Sequence, residues 1–207
     1  MTEDFITLWT FQHPDVYKMV LEKGIAYCDF KSEFGECSIA VSRAYDWMCE
    51  QMIKRVDPPE SPNAKFPLWA WRYYQGKKKA KPRRCYDNIL PLEEAVFMEL
   101  RIPKSRVLLS DFEMWHIPLN DYPEEDEGYV PDETIWEHIF EPDFNDPYYT
   151  GGVLWDDRDI QATFWCILPE DIVQADLLTR IPDRKAVTIK NLYKKKCKKE
   201  RQDACRS

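Results

Sequence analysis

The amino-acid sequence predicts a single α+β domain in which a curved, mostly antiparallel sheet is flanked by helices. Three observations carry that prediction. Short segments rich in alternating, β-branched or aromatic residues occur at Phe5–Gln12, Phe66–Tyr74, Val107–Leu109 and Ile160–Ile167. The stretch from Ile39 to Arg55 instead carries its apolar residues, Ala40, Ala44, Trp47, Met48 and Met52, at helical spacing. There is no internal repeat, no glycine-rich phosphate loop and no strand–helix alternation regular enough for a doubly wound parallel sheet. A chain of 207 residues is long enough to bury one core without staples.

In chain order, Phe5 to Gln12 alternates as a strand, and His13-Pro14-Asp15 then opens a helix that Gly24 stops near Lys23. Ile25 to Asp29 suits a second short strand. The Ile39–Arg55 helix ends at the proline-rich loop Asp57–Pro62, because proline removes donors and biases its predecessor away from helix. In Phe66–Tyr74 a two-residue period sets Trp69, Trp71 and Tyr73 on one side and Leu68, Ala70, Arg72 and Tyr74 on the other. Gln75-Gly76 turns this strand into a basic run. Ala95 to Ile102 reads as a strand, although Pro91-Leu92-Glu93-Glu94 equally suits a helix start. Val107–Leu109 reads as a buried strand that delivers Ser110, Asp111 and His116 to its end and the turn beyond. Residues 131–140 suit a short helix, and Leu168–Ile172 a turn after the late strand. The domain is read as residues 1–192, with a basic, disordered tail over 193–207.

Composition narrows the function classes. Eight Trp, eleven Tyr and ten Phe make the apolar material aromatic enough for a packed core and a stacking surface. No apolar run approaches the roughly 20 residues of a membrane span, and Met1-Thr2-Glu3-Asp4 is acidic where a signal peptide is basic. A cytoplasmic protein without membrane attachment is expected. Seven cysteines without a CxxC pair and three scattered histidines predict reduced thiols and no metal site. The net charge of −8 hides segregation: residues 121–146 hold eleven acidic residues and no Lys or Arg, whereas Lys77–Arg84 and Lys194–Lys199 are strongly basic. Such charges either complement each other or stay solvated; a basic patch behind Trp69, Trp71, Tyr73 and Tyr74 could also grip a nucleic-acid strand. That reading assigns Arg72, Lys77, Lys78, Lys79, Lys81, Arg83 and Arg84 to nucleic acid.

Leu8-Trp9-Thr10-Phe11-Gln12, Trp69-Ala70-Trp71, Leu109-Ser110-Asp111-Phe112 followed by Trp115-His116, and Gln161-Ala162-Thr163-Phe164-Trp165 together resemble an uncharacterised bacterial family known as a domain of unknown function. These landmarks run from Leu8 to the neighbourhood of Pro182, and the resemblance brings no activity with it. The order of elements also resembles the ADP-ribosyltransferase fold. That likeness implies a nucleotide-using transferase with NAD as substrate and a nucleic acid or protein as acceptor. In that superfamily the first strand supplies His or Arg, a middle strand Ser, Thr or Tyr, and a late strand the catalytic Glu. Here the first strand offers Thr10 and Gln12, and the late strand Gln161 and Thr163 where Glu is wanted.

The residues themselves permit two classes of function. Asp111 and His116 are the acid–base candidates, since a carboxylate can orient an imidazole; on a helix, five residues set them about 140° apart, so Asp111 as a helix cap is the competing reading. Gln12 and Gln161 lie inside apolar strands, where an amide either stitches strands together or faces a ligand. If their strands are neighbours, Thr10, Gln12, Gln161 and Thr163 line one cleft beside Ser110, with Trp69 or Trp71 stacking a planar base. The enzyme reading assigns catalysis to Asp111, His116 and Gln161. The alternative is a non-catalytic nucleic-acid or protein interaction module built on the aromatic strand and basic hairpin.

Overall fold

A computed structural model of the chain describes residues 4–29, 39–89, 92–121, 132–182, 184 and 186–195. Cys37, Pro131, Cys197, Cys205 and the rest of the basic tail lie outside them. Nine strands and five α-helices are present among the described residues: β1 (Phe5–Gln12), α1 (Pro14–Lys23), β2 (Ala26–Tyr27), α2 (Ile39–Arg55), β3 (Leu68–Tyr73), β4 (Glu94–Pro103), β5 (Leu108–Asp111), α3 (Phe112–Asn120), α4 (Glu133–Glu137), α5 (Pro147–Thr150), β6 (Ile160–Phe164), β7 (Cys166–Ile167), β8 (Ile172–Arg180) and β9 (Val187–Lys194). Seven strands form one sheet in the order β5-β6-β3-β1-β4-β8-β9, and β2 pairs with β7 in a second. Every neighbouring pair is antiparallel. The α+β class and the antiparallel sheet follow the sequence expectation.

Local chemistry explains most boundaries. Pro14 opens α1 and Gly24 ends it in the left-handed region at φ 72°, donating its N–H to the Val20 carbonyl. The 94–103 segment is a strand, because β1 pairs with it over its full length, from Phe5 opposite Pro103 to Gln12 opposite Val96. At Gly76 (φ 77°) a Cβ would lie 3.2 Å from the Asp157 backbone, so the turn after β3 needs glycine.

Three expectations change. The late strand is two strands, β6 in the large sheet and β7 against β2. The turn at Leu168–Ile172 leads into β8 and β9, which extend the sheet past β4, and β9 carries the chain through Lys194, past the boundary read at residue 192. Tyr73 leaves the side of β3 shared by Trp69 and Trp71, because the register slips between Trp71, opposite Gln161, and Tyr73, opposite Ile160. A bulge there inverts the two-residue alternation.

The sheet separates two apolar layers. One face, carrying Leu8, Met98, Leu100, Ala162 and Phe164, packs under Val16, Tyr17, Met19 and Val20 of α1. The other meets α2 and α3 through Trp47, Met48, Met52, Met114, Trp115 and Trp165, with Trp136 and Ile139 filling the gap. Each such side chain contributes roughly 1.5–3 kcal/mol on burial, which is why the aromatic stripe of α2 is core.

A partly buried polar knot ties the loop before β3 to both sheets. The Arg106 guanidinium meets the Glu60 carboxylate, donates to Asp171 at 2.9 and 3.1 Å, and donates to the Cys166 carbonyl at 3.2 Å. The Cys166 thiol in turn donates to Glu60 at 2.6 Å. Burial, helped by the Glu60 carboxylate, pushes this thiol up to about 12. An unfolded cysteine ionises near about 8.5, so the folded state holds the extra proton. This contribution is fully present below the unfolded value and is lost as pH rises toward the folded one. Wild type is therefore expected to lose on the order of 2 kcal/mol more than Cys166→Ala between about pH 8 and about pH 10.5, read by urea unfolding at both pH values; parallel losses would contradict the assignment. Arg106→Leu is expected to cost about 3–5 kcal/mol, since it leaves Asp171 buried without its cation.

Candidate functional site

β1 and β3, at the middle of the sheet, share a single register pair, Trp9 opposite Trp71. On either side of that rung, side chains do the work of a backbone ladder. Thr10 Oγ1 donates to the Trp69 carbonyl at 2.7 Å, and Gln12 Nε2 reaches the same carbonyl at 3.3 Å and Thr10 Oγ1 at 2.7 Å. Beyond the rung, Arg72 Nη1 donates to the Thr7 carbonyl at 3.0 Å. Gln12 is thus a stitch between strands, one of the two roles open to it. Arg72, turned by the bulge, is taken up by the seam and by the Tyr73 ring, 4.9 Å from its guanidinium carbon.

A cavity of about 250 Å³ opens at this seam, lined by Thr10, Phe11, Trp69, Ala70, Trp71, Asn88 and Gln161. Four residues expected from sequence to bind substrate or act on it, Thr10, Trp69, Trp71 and Gln161, are brought together here. The strands that carry Gln12 and Gln161 are not neighbours, however, since β3 lies between β1 and β6. Register places Ser110, Gln161, Trp71 and Trp9 in one row across the sheet, with Thr163 and Trp69 in the next row on the same face. Thr10 and Gln12 alternate to the opposite face, so Thr10 reaches the cavity only because the seam is open. Thr163, fully buried beneath α2, bonds the Leu108 carbonyl at 3.4 Å and does not line the cavity.

The cavity is aromatic, with no charged residue in its lining among the described residues. Trp71 stands edge-on to Phe112 (4.9 Å) and Tyr74 (5.2 Å), while Trp69 packs on Trp115 and Tyr45. Gln161 is 6% exposed, yet among the described residues its Nε2 has no hydrogen-bond partner, and neither do Trp69 Nε1, Ser110 Oγ and Trp165 Nε1. Leaving a buried donor unpaired costs about 1–3 kcal/mol, and such atoms beside a cavity point to something that fills it. Phe11 and Asn88 were not anticipated. Phe11 was legible only as an apolar strand residue, and Asn88 follows a basic run with no pattern of its own.

Asp111 and His116 do not form an acid–base pair. Asp111 caps α3, accepting the Met114 N–H at 3.0 Å, and its second oxygen takes Arg158 Nη1 at 3.2 Å in a fully buried ion pair. Arg158 also donates to the carbonyls of Val153 (2.6 Å) and Phe144 (2.7 Å). The His116 ring, exposed on α3, has Nδ1 at 3.1 Å from the Phe112 carbonyl and lies edge-on to the Phe112 ring. Arg158 is the residue the sequence reading missed, although a lone cation among Asp156, Asp157 and Asp159 is a visible sign of a buried partner.

The basic run folds back on the molecule. Lys77 pairs with Asp156 at 2.8 Å, Lys81 with Glu99 at 2.6 Å and Arg84 with the buried Asp176 at 3.0 Å. The bond to Asp156 pushes Lys77 up from its ordinary value. Burial pushes Glu99 up, but the Lys81 and Trp9 bonds outweigh it and hold the carboxyl below its ordinary value. These three cations are thus complemented within the chain, by partners outside residues 121–146. Lys78, Lys79 and Arg83 are exposed. Among the described residues no group of three or more His, Cys, Asp or Glu is placed to hold a metal, and no helix is long and apolar enough to cross a membrane.

Fold and site together define an α+β sheet domain with a neutral aromatic cleft at its central seam. The chain belongs to the family DUF3841, a domain of unknown function, whose model matches residues 7–133. That span covers β1 through α3 and includes the seam, Trp69, Trp71 and Ser110-Asp111, bearing out the resemblance carried by those motifs. No curated protein and no solved structure matches the chain significantly.

Asp111→Ala is expected to destabilise the protein by about 3–5 kcal/mol, because it leaves Arg158 buried and unpaired and removes a cap. His116→Ala should stay within about 0.5 kcal/mol of wild type. Urea unfolding of both variants checks this; equal costs would mean that the two residues act as a unit.

Proposed function

We propose that this protein binds a planar heteroaromatic ring, the base of a nucleotide, in the cleft at the β1–β3 seam. The observation that carries the reading is the buried, unpartnered Nε2 of Gln161 in the wall of a cavity faced by Trp71 and Trp69. A flat apolar wall with a few polar atoms is how sites for such rings are built. NAD, the nucleotide suggested by element order, is one candidate ligand, and a base of a single-stranded nucleic acid is another.

The cleft favours binding over transfer. Among the described residues its lining holds no carboxylate, and an oxocarbenium-like centre needs negative charge close by. Asp111 is committed to Arg158 and to the Met114 N–H. A transferase would have to draw its carboxylate from elsewhere or from the acceptor, so a module that recognises a nucleotide is the better reading of these residues.

Calorimetric titration with NAD, mononucleotides and a short single strand tests this. Saturable binding is expected, weakened about tenfold or more by Trp71→Ala, as loss of one stacked base implies. Replacing Lys78 and Lys79 by Ala should change the binding of a mononucleotide little. Incubation with adenylate-labelled NAD and with protein, RNA or DNA acceptors should leave the acceptors unlabelled. Labelling that Gln161→Ala abolishes would restore the transferase reading, and binding of no nucleotide at all would sink both.

A further inference from the structure

We propose that the cleft reads its ligand through hydrogen-bond donors and so selects an oxo-substituted ring, as in uridine or inosine, over the amino-substituted counterpart, as in cytidine or adenosine. This rests on the reading of the cleft as a base site and names the edge that is recognised.

Two lining residues carry buried polar atoms without partners, and both atoms are N–H donors: indole Nε1 of Trp69 and amide Nε2 of Gln161. Pairing of β3 with β6 sets Trp69 opposite Thr163 and Gln161 opposite Trp71, which makes Trp69 and Gln161 diagonal neighbours on one face. Ser110, opposite Gln161 on β5, adds a fully buried hydroxyl with no partner of its own. An amide can exchange donor for acceptor by turning over, but an indole cannot, so Trp69 fixes the polarity of the site.

The other amide in the wall is already spent. Asn88 accepts the Tyr74 hydroxyl at 3.4 Å and donates to the Arg83 carbonyl at 2.5 Å. Thr10 is spent as well, donating to the Trp69 carbonyl and accepting from Gln12. A ligand carbonyl oxygen would satisfy donors that are otherwise buried unpaired, whereas an exocyclic amino group would set donor against donor. A charged acceptor is disfavoured, since no Lys or Arg among the described residues lines the cavity and a carboxylate or phosphate would be desolvated without a counter-charge. The part of the ligand that enters is therefore a neutral ring with a carbonyl.

Calorimetric titration with uridine, cytidine, inosine and adenosine tests this in wild type, Trp69→Phe, Gln161→Leu and Trp71→Ala, each first shown to melt cooperatively. The oxo member of each pair is expected to bind about tenfold tighter to wild type. Trp69→Phe, which keeps a ring and removes the N–H, and Gln161→Leu should each narrow that ratio toward one; Trp71→Ala should weaken all four ligands alike. Equal affinities within both pairs would overturn the donor-edge inference and leave the base site standing. An unchanged ratio in both donor variants would overturn the assignment to Trp69 and Gln161. Failure of every nucleoside to bind would overturn the base site itself.

Discussion

The architecture turns on the joint between β1 and β3. A seven-stranded sheet whose two central strands share one register pair would be expected to part there, leaving buried carbonyls unpaired. Thr10 and Gln12 on β1 supply donors to the Trp69 carbonyl, and Arg72 on β3 supplies one to the Thr7 carbonyl. The sheet stays continuous at this joint, and the cavity opens beside it. The bulge after Trp71 is part of the same device, since it delivers Arg72 to Thr7 and turns Tyr73 into the opposite layer.

The surroundings hold that opening in place. On one flank α3 begins directly at the end of β5, and the Asp111–Arg158 pair fixes where it begins, which seats Phe112 against Trp71. On the other, the basic segment after β3 is fastened by Lys77, Lys81 and Arg84 to Asp156, Glu99 and Asp176, and brings Asn88 into the cavity wall. Three of the charges that looked like a ligand-binding surface thus fasten this segment, and the cavity it helps to shape has no charged lining residue among the described residues. Exposed pairs such as Lys77–Asp156 contribute little individually; the buried Asp176 gives the segment its firmest attachment.

Much of the fold was legible because burial imposes periodicity. β1, β3, β6 and α2 each carry an apolar pattern of the right period, and the cap at Asp111 and the stop at Gly24 are chemical signals read directly from residue type. β9 escaped notice for the converse reason: it is an edge strand with almost every side chain exposed, so no alternation was imposed on Val187–Lys194. The site was half legible. Gln161 and the two tryptophans stood out as a costly amide and large rings in strands, but which face they share depends on register between strands distant in sequence. The position of β3 between β1 and β6, and the alternation that separates Thr10 from Gln161, were enough to break the expected cleft. The pairing of Asp111 with Arg158 rather than His116 likewise depends on a contact 47 residues away.

The most direct test of the seam cavity as a base site is to follow the tryptophan indole N–H signals by NMR while uridine is added. Trp69 Nε1–H has no partner among the described residues, whereas Trp136 Nε1–H already donates to Asp121 at 2.8 Å. The account predicts that the Trp69 signal moves downfield and saturates as it acquires an acceptor, that Trp71 moves through ring stacking, and that Trp136 stays in place. Saturable binding that leaves Trp69 and Trp71 unmoved would put the ligand elsewhere and contradict it.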